Sequence, residues 1–272
     1  YCHKNGISTV VLGLSGGIDS AVTAAIATGA LGKENVHGLI MPSPYSSEHS
    51  VKDAVDLAHN LELGFLDQVP IAKAMEAFSE MLKPVFKDLP PDAAEENIQA
   101  RIRGILLMGV ANKFQRMLLT TGNKSEISVG YCTIYGDMCG ALAVIGDLYK
   151  TEVFNLARFL NREKILIPEN TLSKPPSAEL KPDQTDQDSL PPYALLDQIL
   201  VELLEKRLTP MELIATGRFA EETVKKVAGL VKAAEFKRRQ AAPVLKITSQ
   251  AFGVGWRMPI AANSVFGPPW IS

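Results

Sequence analysis

The chain has 272 residues, of which 46% are hydrophobic and 21% charged, enough for one large α/β unit or two small ones with an ordinary core. Its net charge of −2 argues against a general affinity for nucleic acid or membrane surfaces, and no apolar run reaches the roughly 18 residues needed to span a bilayer. Three cysteines, Cys2, Cys132 and Cys139, have neither metal-ligand nor CxxC spacing, which gives the expectation of a reducing, cytoplasmic setting.

In chain order, residues 10–14 read as a buried strand that runs directly into Ser15-Gly16-Gly17-Ile18-Asp19-Ser20 and an Ala-rich helix over 20–31. Tyr1 stands almost on top of that strand, so the expectation is a unit excised from a longer protein. Strand, two-glycine turn and helix start together form an anion cradle, because glycine lets the backbone approach a ligand and the unpaired amides of the helix end point at it. The glycine spacing fits neither a Walker loop nor a dinucleotide fingerprint. On spacing alone, a tight turn into a helix cap is the alternative.

A second apolar run over 36–41 stops at Pro42 and Pro44, completing a β-α-β unit. Val51, Ala54, Val55 and Ala58 recur at helical spacing, Gly64 ends that helix, and 65–69 reads as a third strand. Helices are expected over 71–82 and 93–114, a strand over 117–121, a shorter strand over 141–145 and a helix over 150–160. Strands alternating with helices imply an α/β fold, a Rossmann-like parallel sheet with helices on both faces. Ligands in such sheets bind at the carboxyl ends of the strands, which aligns the Ser15 loop, Met41-Pro42-Ser43 and Thr121-Gly122-Asn123 along one edge.

Residues 173–192 form a proline- and acid-rich stretch, either a functional loop or a solvated linker. Beyond it, Leu196, Ile199, Leu200 and Leu203 mark an amphipathic helix, Thr209-Pro210 opens another, and 221–234 forms a third, so the fold ends in C-terminal helices. The segment after Pro243 has no clear period.

The Ser15 to Ser20 loop resembles the SGGxDS loop of the PP-loop ATP pyrophosphatases. Glu96-Asn97-Ile98-Gln99-Ala100-Arg101-Ile102-Arg103, Leu119-Thr120-Thr121-Gly122-Asn123-Lys124-Ser125-Glu126 and Gly130-Tyr131 with Tyr135-Gly136-Asp137 resemble the NAD synthetase family. So do Lys174-Pro175-Pro176-Ser177-Ala178-Glu179-Leu180, Asp186-Gln187-Asp188-Ser189-Leu190-Pro191-Pro192-Tyr193 and Phe236-Lys237-Arg238-Arg239-Gln240. The likeness covers nearly the whole chain and is greatest to the synthetase half of the glutamine-dependent form. It implies a single synthetase domain over 1–272 with a glutaminase domain upstream in the full protein.

The family adenylates the nicotinate carboxylate of deamido-NAD with ATP and lets ammonia attack the acyl adenylate. By resemblance, ATP would meet Gly13, Leu14, the Ser15 to Ser20 loop, Met41, Thr121, Lys150 and Ser177, the last standing where ammonia-dependent members usually carry Thr. Asp19 and Glu126 would hold Mg²⁺, and Asn97, Arg101, Glu126 and Lys237 would hold deamido-NAD. Read alone, Asn97 and Arg101 share a helix face beside Ile98, Ile102 and Ile105, and a polar helix flank is the alternative.

Ile134 and Ala141 depart from the lysine and aspartate of ammonia-dependent members, so recognition of the dinucleotide differs there. Neutral ammonia needs a proton acceptor, for which Asp137 is the candidate, with a plain Gly136-Asp137 turn as the alternative. Asp19, Asp137 and Lys150 form the expected catalytic set. A homodimer with the dinucleotide across its interface is the family expectation, with no nucleic-acid or membrane partner. The competing functions are another PP-loop adenylating enzyme, such as a tRNA-modifying one, and a non-catalytic nucleotide-binding regulator.

Overall fold

The computed structural model describes residues 1–260 except Asp88, Asp183 and Val254. Five strands, β1 (Val10–Gly13), β2 (Val36–Ile40), β3 (Phe65–Gln68), β4 (Met117–Thr120) and β5 (Leu142–Ala143), form one parallel sheet in the order β3-β2-β1-β4-β5. Between them lie α1 (Ile18–Leu31), α2 (Glu48–Asn60), α3 (Ala72–Phe86), α4 (Ala93–Lys113) and α5 (Lys124–Val129). Then follow α6 (Lys150–Leu160), α7 (Glu169–Ser173), α8 (Tyr193–Leu200), α9 (Pro210–Ala215), α10 (Glu221–Ala233) and α11 (Glu235–Arg238).

Strand β1 reads as an uninterrupted apolar run, and β2 as one broken only by buried His37, because both their faces are covered. Val10 and Leu12 pack with α1, α2 and α6, whereas Val11 packs against Ala111 of α4. Gly38 lets Leu14 pack closely against β2, since a Cβ there would lie 2.5 Å from Leu14 Cδ1 and force that side chain to shift. A second apolar cluster joins Ile127 of α5 to Leu196 and Leu200 of α8 and Val224 and Val227 of α10. The C-terminal helices are therefore fastened to the sheet through α5. No helix among the described residues is long and apolar enough to cross a membrane.

After β3 the chain crosses back through α3 and α4 to place β4 on the far side of β1. The order reverses there, and the carboxyl ends of β1 and β4 open a crevice between them. Helix α5 was not foreseen: it has six residues, capped by Asn123 at its start and by left-handed Gly130 at its end. The expected 141–145 strand shortens to two residues, and Val244, in the unassigned tail, forms a parallel bridge with Ala143. The last part of that tail lies outside the described residues.

Candidate active site

The Ser15 loop is locked by its own hydroxyls. Ser20 Oγ donates to Gly17 O at 3.0 Å and accepts from Ser15 N at 3.3 Å, while Thr171 Oγ1 of α7 donates to Gly16 O at 3.2 Å. Gly16 has φ +76°, and a Cβ on it would lie 2.1 Å from Ser50 O, so the loop passes under the start of α2 only as glycine. Gly17 begins α1 with no side-chain cap, which leaves the first-turn amides for a ligand.

Asp19, in that first turn, meets Lys150, the first residue of α6, at 2.6 Å, and Lys150 Nζ also reaches Glu126 Oε1 at 3.0 Å. Asn123 orients both acids: its side chain accepts from Glu126 N at 3.0 Å and donates to Asp19 Oδ1 at 2.8 Å. Glu126 thus lies in α5, one step beyond the strand end where the sequence puts it. Burial raises the Glu126 pKa above the usual carboxylate range against the pull of Lys150. For Lys150 burial acts downward, but Asp19 and Glu126 together outweigh it and hold the ammonium charged.

The start of α6 is held from outside. Tyr149 gives it no side-chain cap, and instead Lys150 N donates to Ser125 Oγ at 2.9 Å and Thr151 N to Asp197 Oδ2 at 2.9 Å. Ser125 Oγ donates in turn to Asp197 Oδ1 at 2.5 Å. Asp197 of α8 therefore fixes α5 and α6, and with them Glu126 and Lys150. Nothing in the sequence singled it out, because a lone acid on an amphipathic helix reads as solvated.

Of the 173–192 stretch, residues 174–180 and Asp186 line one wall of the cleft. Glu179 seats on the start of α2, accepting from Ser47 N at 3.3 Å, Ser47 Oγ at 3.1 Å and Ser50 Oγ at 2.5 Å. Lys174 Nζ adds Ser50 Oγ at 3.0 Å and Asp53 Oδ2 at 3.3 Å. Ser177 lines the cleft, but its hydroxyl donates to Gln184 O at 2.6 Å and accepts from Glu179 N at 3.1 Å, so it shapes this wall. Met41, Thr121 and Leu14 also line the cleft.

Asn97, Arg101 and Lys237 converge on the turn after α5. Thr133 Oγ1 donates to Asn97 Oδ1 at 2.7 Å, Arg101 Nε to Ile134 O at 3.3 Å, and Lys237 Nζ to Gly130 O at 2.7 Å and Cys132 O at 2.6 Å. Asp137 closes the turn by accepting from Thr133 N at 2.5 Å. Surrounding protein pushes its pKa up to about 6, although the residue also faces the water of the cleft, which moderates that rise. Burial pushes the Cys132 thiol up to about 12, which keeps it protonated and unsuited to nucleophilic work.

An uncapped helix start, a lysine shared by two acids and a cleft meet at the sheet's switch point, and the whole sequence decides the family. The model of the NAD synthase family matches residues 1–241. The chain belongs to the NAD synthase family. Among its NAD synthase relatives, the glutamine-dependent NAD(+) synthetase of Synechocystis sp. is 60% identical over 261 residues, covering 96% of this chain and 46% of that protein.

The glutamine-dependent NAD+ synthetase of Acinetobacter baumannii, solved with adenosine diphosphate, is 46% identical with a TM-score of 0.63, over 96% of this chain and 47% of that one. The NH3-dependent NAD synthetase of Campylobacter jejuni, solved with a nitrate ion, is 30% identical with a TM-score of 0.68, over 87% and 89%. The chain spans about half the length of the glutamine-dependent relatives it matches.

Proposed function

We propose that this chain converts deamido-NAD to NAD: ATP activates the nicotinate carboxylate as an acyl adenylate, ammonia displaces AMP from it, and pyrophosphate leaves in the first step. The observation that carries this reading is the meeting of Asp19, Lys150 and Glu126 beside the uncapped start of α1 in a chain of the NAD synthase family. The amides of the Ser15 loop hold the departing pyrophosphate, and Lys150 balances negative charge where carboxylate and phosphoryl group approach.

Asp19 and Glu126 fit Mg²⁺: both reach the single ammonium of Lys150, so their oxygens converge on one place, and two carboxylates with phosphate oxygens and water are a donor set this ion accepts. When bound there, Mg²⁺ would neutralise phosphoryl charge. Asn97, Arg101 and Lys237 hold the dinucleotide by way of the 130–137 turn they brace, and Asp137 takes the proton that ammonia loses.

Residues 1–272 act as one synthetase domain, and in the longer protein a glutaminase domain supplies the ammonia, a reading supported by the half-length match to glutamine-dependent relatives. Ile105 and Met108 of α4, exposed at 63% and 39%, follow Arg101 on its outer side and support pairing of two copies over the dinucleotide. Unpaired cysteines suit a cytoplasmic setting.

Incubation with ATP, Mg²⁺, ammonium and deamido-NAD tests the reading, with NAD and AMP appearing in equal amounts as the expected result. AMP without NAD would indicate another acceptor, and nucleotide binding without AMP a regulatory module.

A further inference from the structure

Arg103 stands midway along α4 and lines the cleft beside the end of β2. Its Nε donates to Met41 O at 3.1 Å, its one hydrogen bond among the described residues, and no carboxylate there lies within ion-pair distance. A guanidinium carries five N–H donors in a fixed fork; Arg103 is half-buried, Glu179 of the same cleft attracts it only from beyond ion-pair distance, and leaving the fork without a direct partner is costly. The other cations of this wall and floor are committed: Lys150 to Asp19 and Glu126, Lys174 to Asp53 and Ser50. Arg103 is thus a cation of the cleft whose terminal nitrogens are unspent.

The anion that completes it must be planar-bidentate or tetrahedral, and must lie near Met41 and the Ser15 loop. The 130–137 turn, braced by Asn97, Arg101 and Lys237, is a separate part of the site. We propose that Arg103 binds a phosphoryl group of the nucleotide, its terminal nitrogens meeting phosphoryl oxygens from the β2 side of the Ser15 loop. This rests on the nucleotide reading of the cleft given above. Lysine could supply the charge but not the fork.

Calorimetric titration of the unsubstituted chain, R103M and R103K with ATP, AMP, adenosine and deamido-NAD tests it. R103M is expected to weaken ATP and AMP by about tenfold or more, the loss of a charged hydrogen bond, and to leave adenosine and deamido-NAD unchanged. R103K should lose a smaller part. Without ligand, R103M should unfold at the same temperature or higher, since it removes a half-buried charge that no carboxylate contacts directly.

ATP affinity unchanged in R103M overturns the assignment while leaving the nucleotide reading intact. Weakening of deamido-NAD alone moves Arg103 to the dinucleotide and also overturns it. Equal weakening of adenosine together with a lower unfolding temperature shows a packing role and overturns it as well. An unsubstituted chain that binds no ATP removes the nucleotide reading, and this proposal with it.

Discussion

Asp19 Oδ2 and Lys150 Nζ meet at 2.6 Å although 131 residues separate them. The first turn after β1 carries one and the first residue of α6 carries the other, so their contact spans the crevice that the reversal of strand order opens. Glu126 joins from the helix after β4, and one ammonium binds two acids across neighbouring strand ends.

K150M leaves those two acids facing each other. We expect NAD formation to fall about 100-fold or more and stability at pH 7.5 to fall by about 3 kcal/mol. Lys150 has a raised pKa, so its stabilising charge is present throughout the neutral range and would be lost only in strong alkali. Any variation near neutrality comes from the acids: Glu126 titrates above the usual range, and its protonation relieves the variant. Urea unfolding should therefore show a smaller deficit at pH 5 than at pH 7.5. A deficit that grows on acidification would contradict this electrostatic account.

Two glycines on either side of one helix start should respond oppositely. G16A forces a Cβ onto Ser50 O at a left-handed φ, and a loss of about 3 kcal/mol with loss of ATP binding is expected. Gly29 lies inside α1 with nothing within 4 Å of an added Cβ, so G29A should gain up to about 1 kcal/mol and keep ATP affinity. Thermal unfolding with and without ATP distinguishes them.

Asp137 links chemistry to pH. Its folded pKa, about 6, lies above the ordinary 3.8, so its contribution to stability is complete below pH 4 and is lost as pH rises through 6. D137N should lack that fall between pH 4 and 6. At constant free ammonia the unsubstituted chain should lose rate below pH 6, whereas D137N should be slower by about tenfold or more at pH 8. An unchanged rate in D137N would remove Asp137 from proton transfer.

Glu179 fastens the 174–180 wall to α2 by accepting from two serines. E179Q exchanges charge-assisted bonds for neutral ones, and hydrogen exchange of this wall should accelerate by about tenfold with a matching rise in KM for ATP. Exchange unchanged in E179Q would mean that Lys174 and the stiff Pro175-Pro176 pair hold the wall by themselves.

Legibility in the sequence followed the physics of each element. Strand β1, the Ser15 loop and α1 could be read because a strand buried on both faces is continuously apolar and the glycines stand where the chain turns under Ser50. Helix α5 escaped because six residues are too few to display a period, although Asn123 and Gly130 carried its cap signals. Asp19, Lys150 and Glu126 were individually legible through family likeness. Their common contact was not, since it depends on the strand order. Asp197 gave no local signal at all, since it acts through Ser125 and the α6 amides, and Arg103, though part of the Glu96 to Arg103 segment, carried no role there because it is distinguished by the partners it lacks among the described residues.

In the proposed reaction ATP activates the carboxylate at its α-phosphoryl group. Deamido-NAD labelled with oxygen-18 in its nicotinate carboxylate, turned over with ATP, Mg²⁺ and ammonium, tests it by mass analysis of the nucleotide product. Acyl-adenylate chemistry leaves one carboxylate oxygen on phosphorus, so AMP should carry a single label and pyrophosphate none. Unlabelled AMP, or ADP with labelled inorganic phosphate, would contradict it.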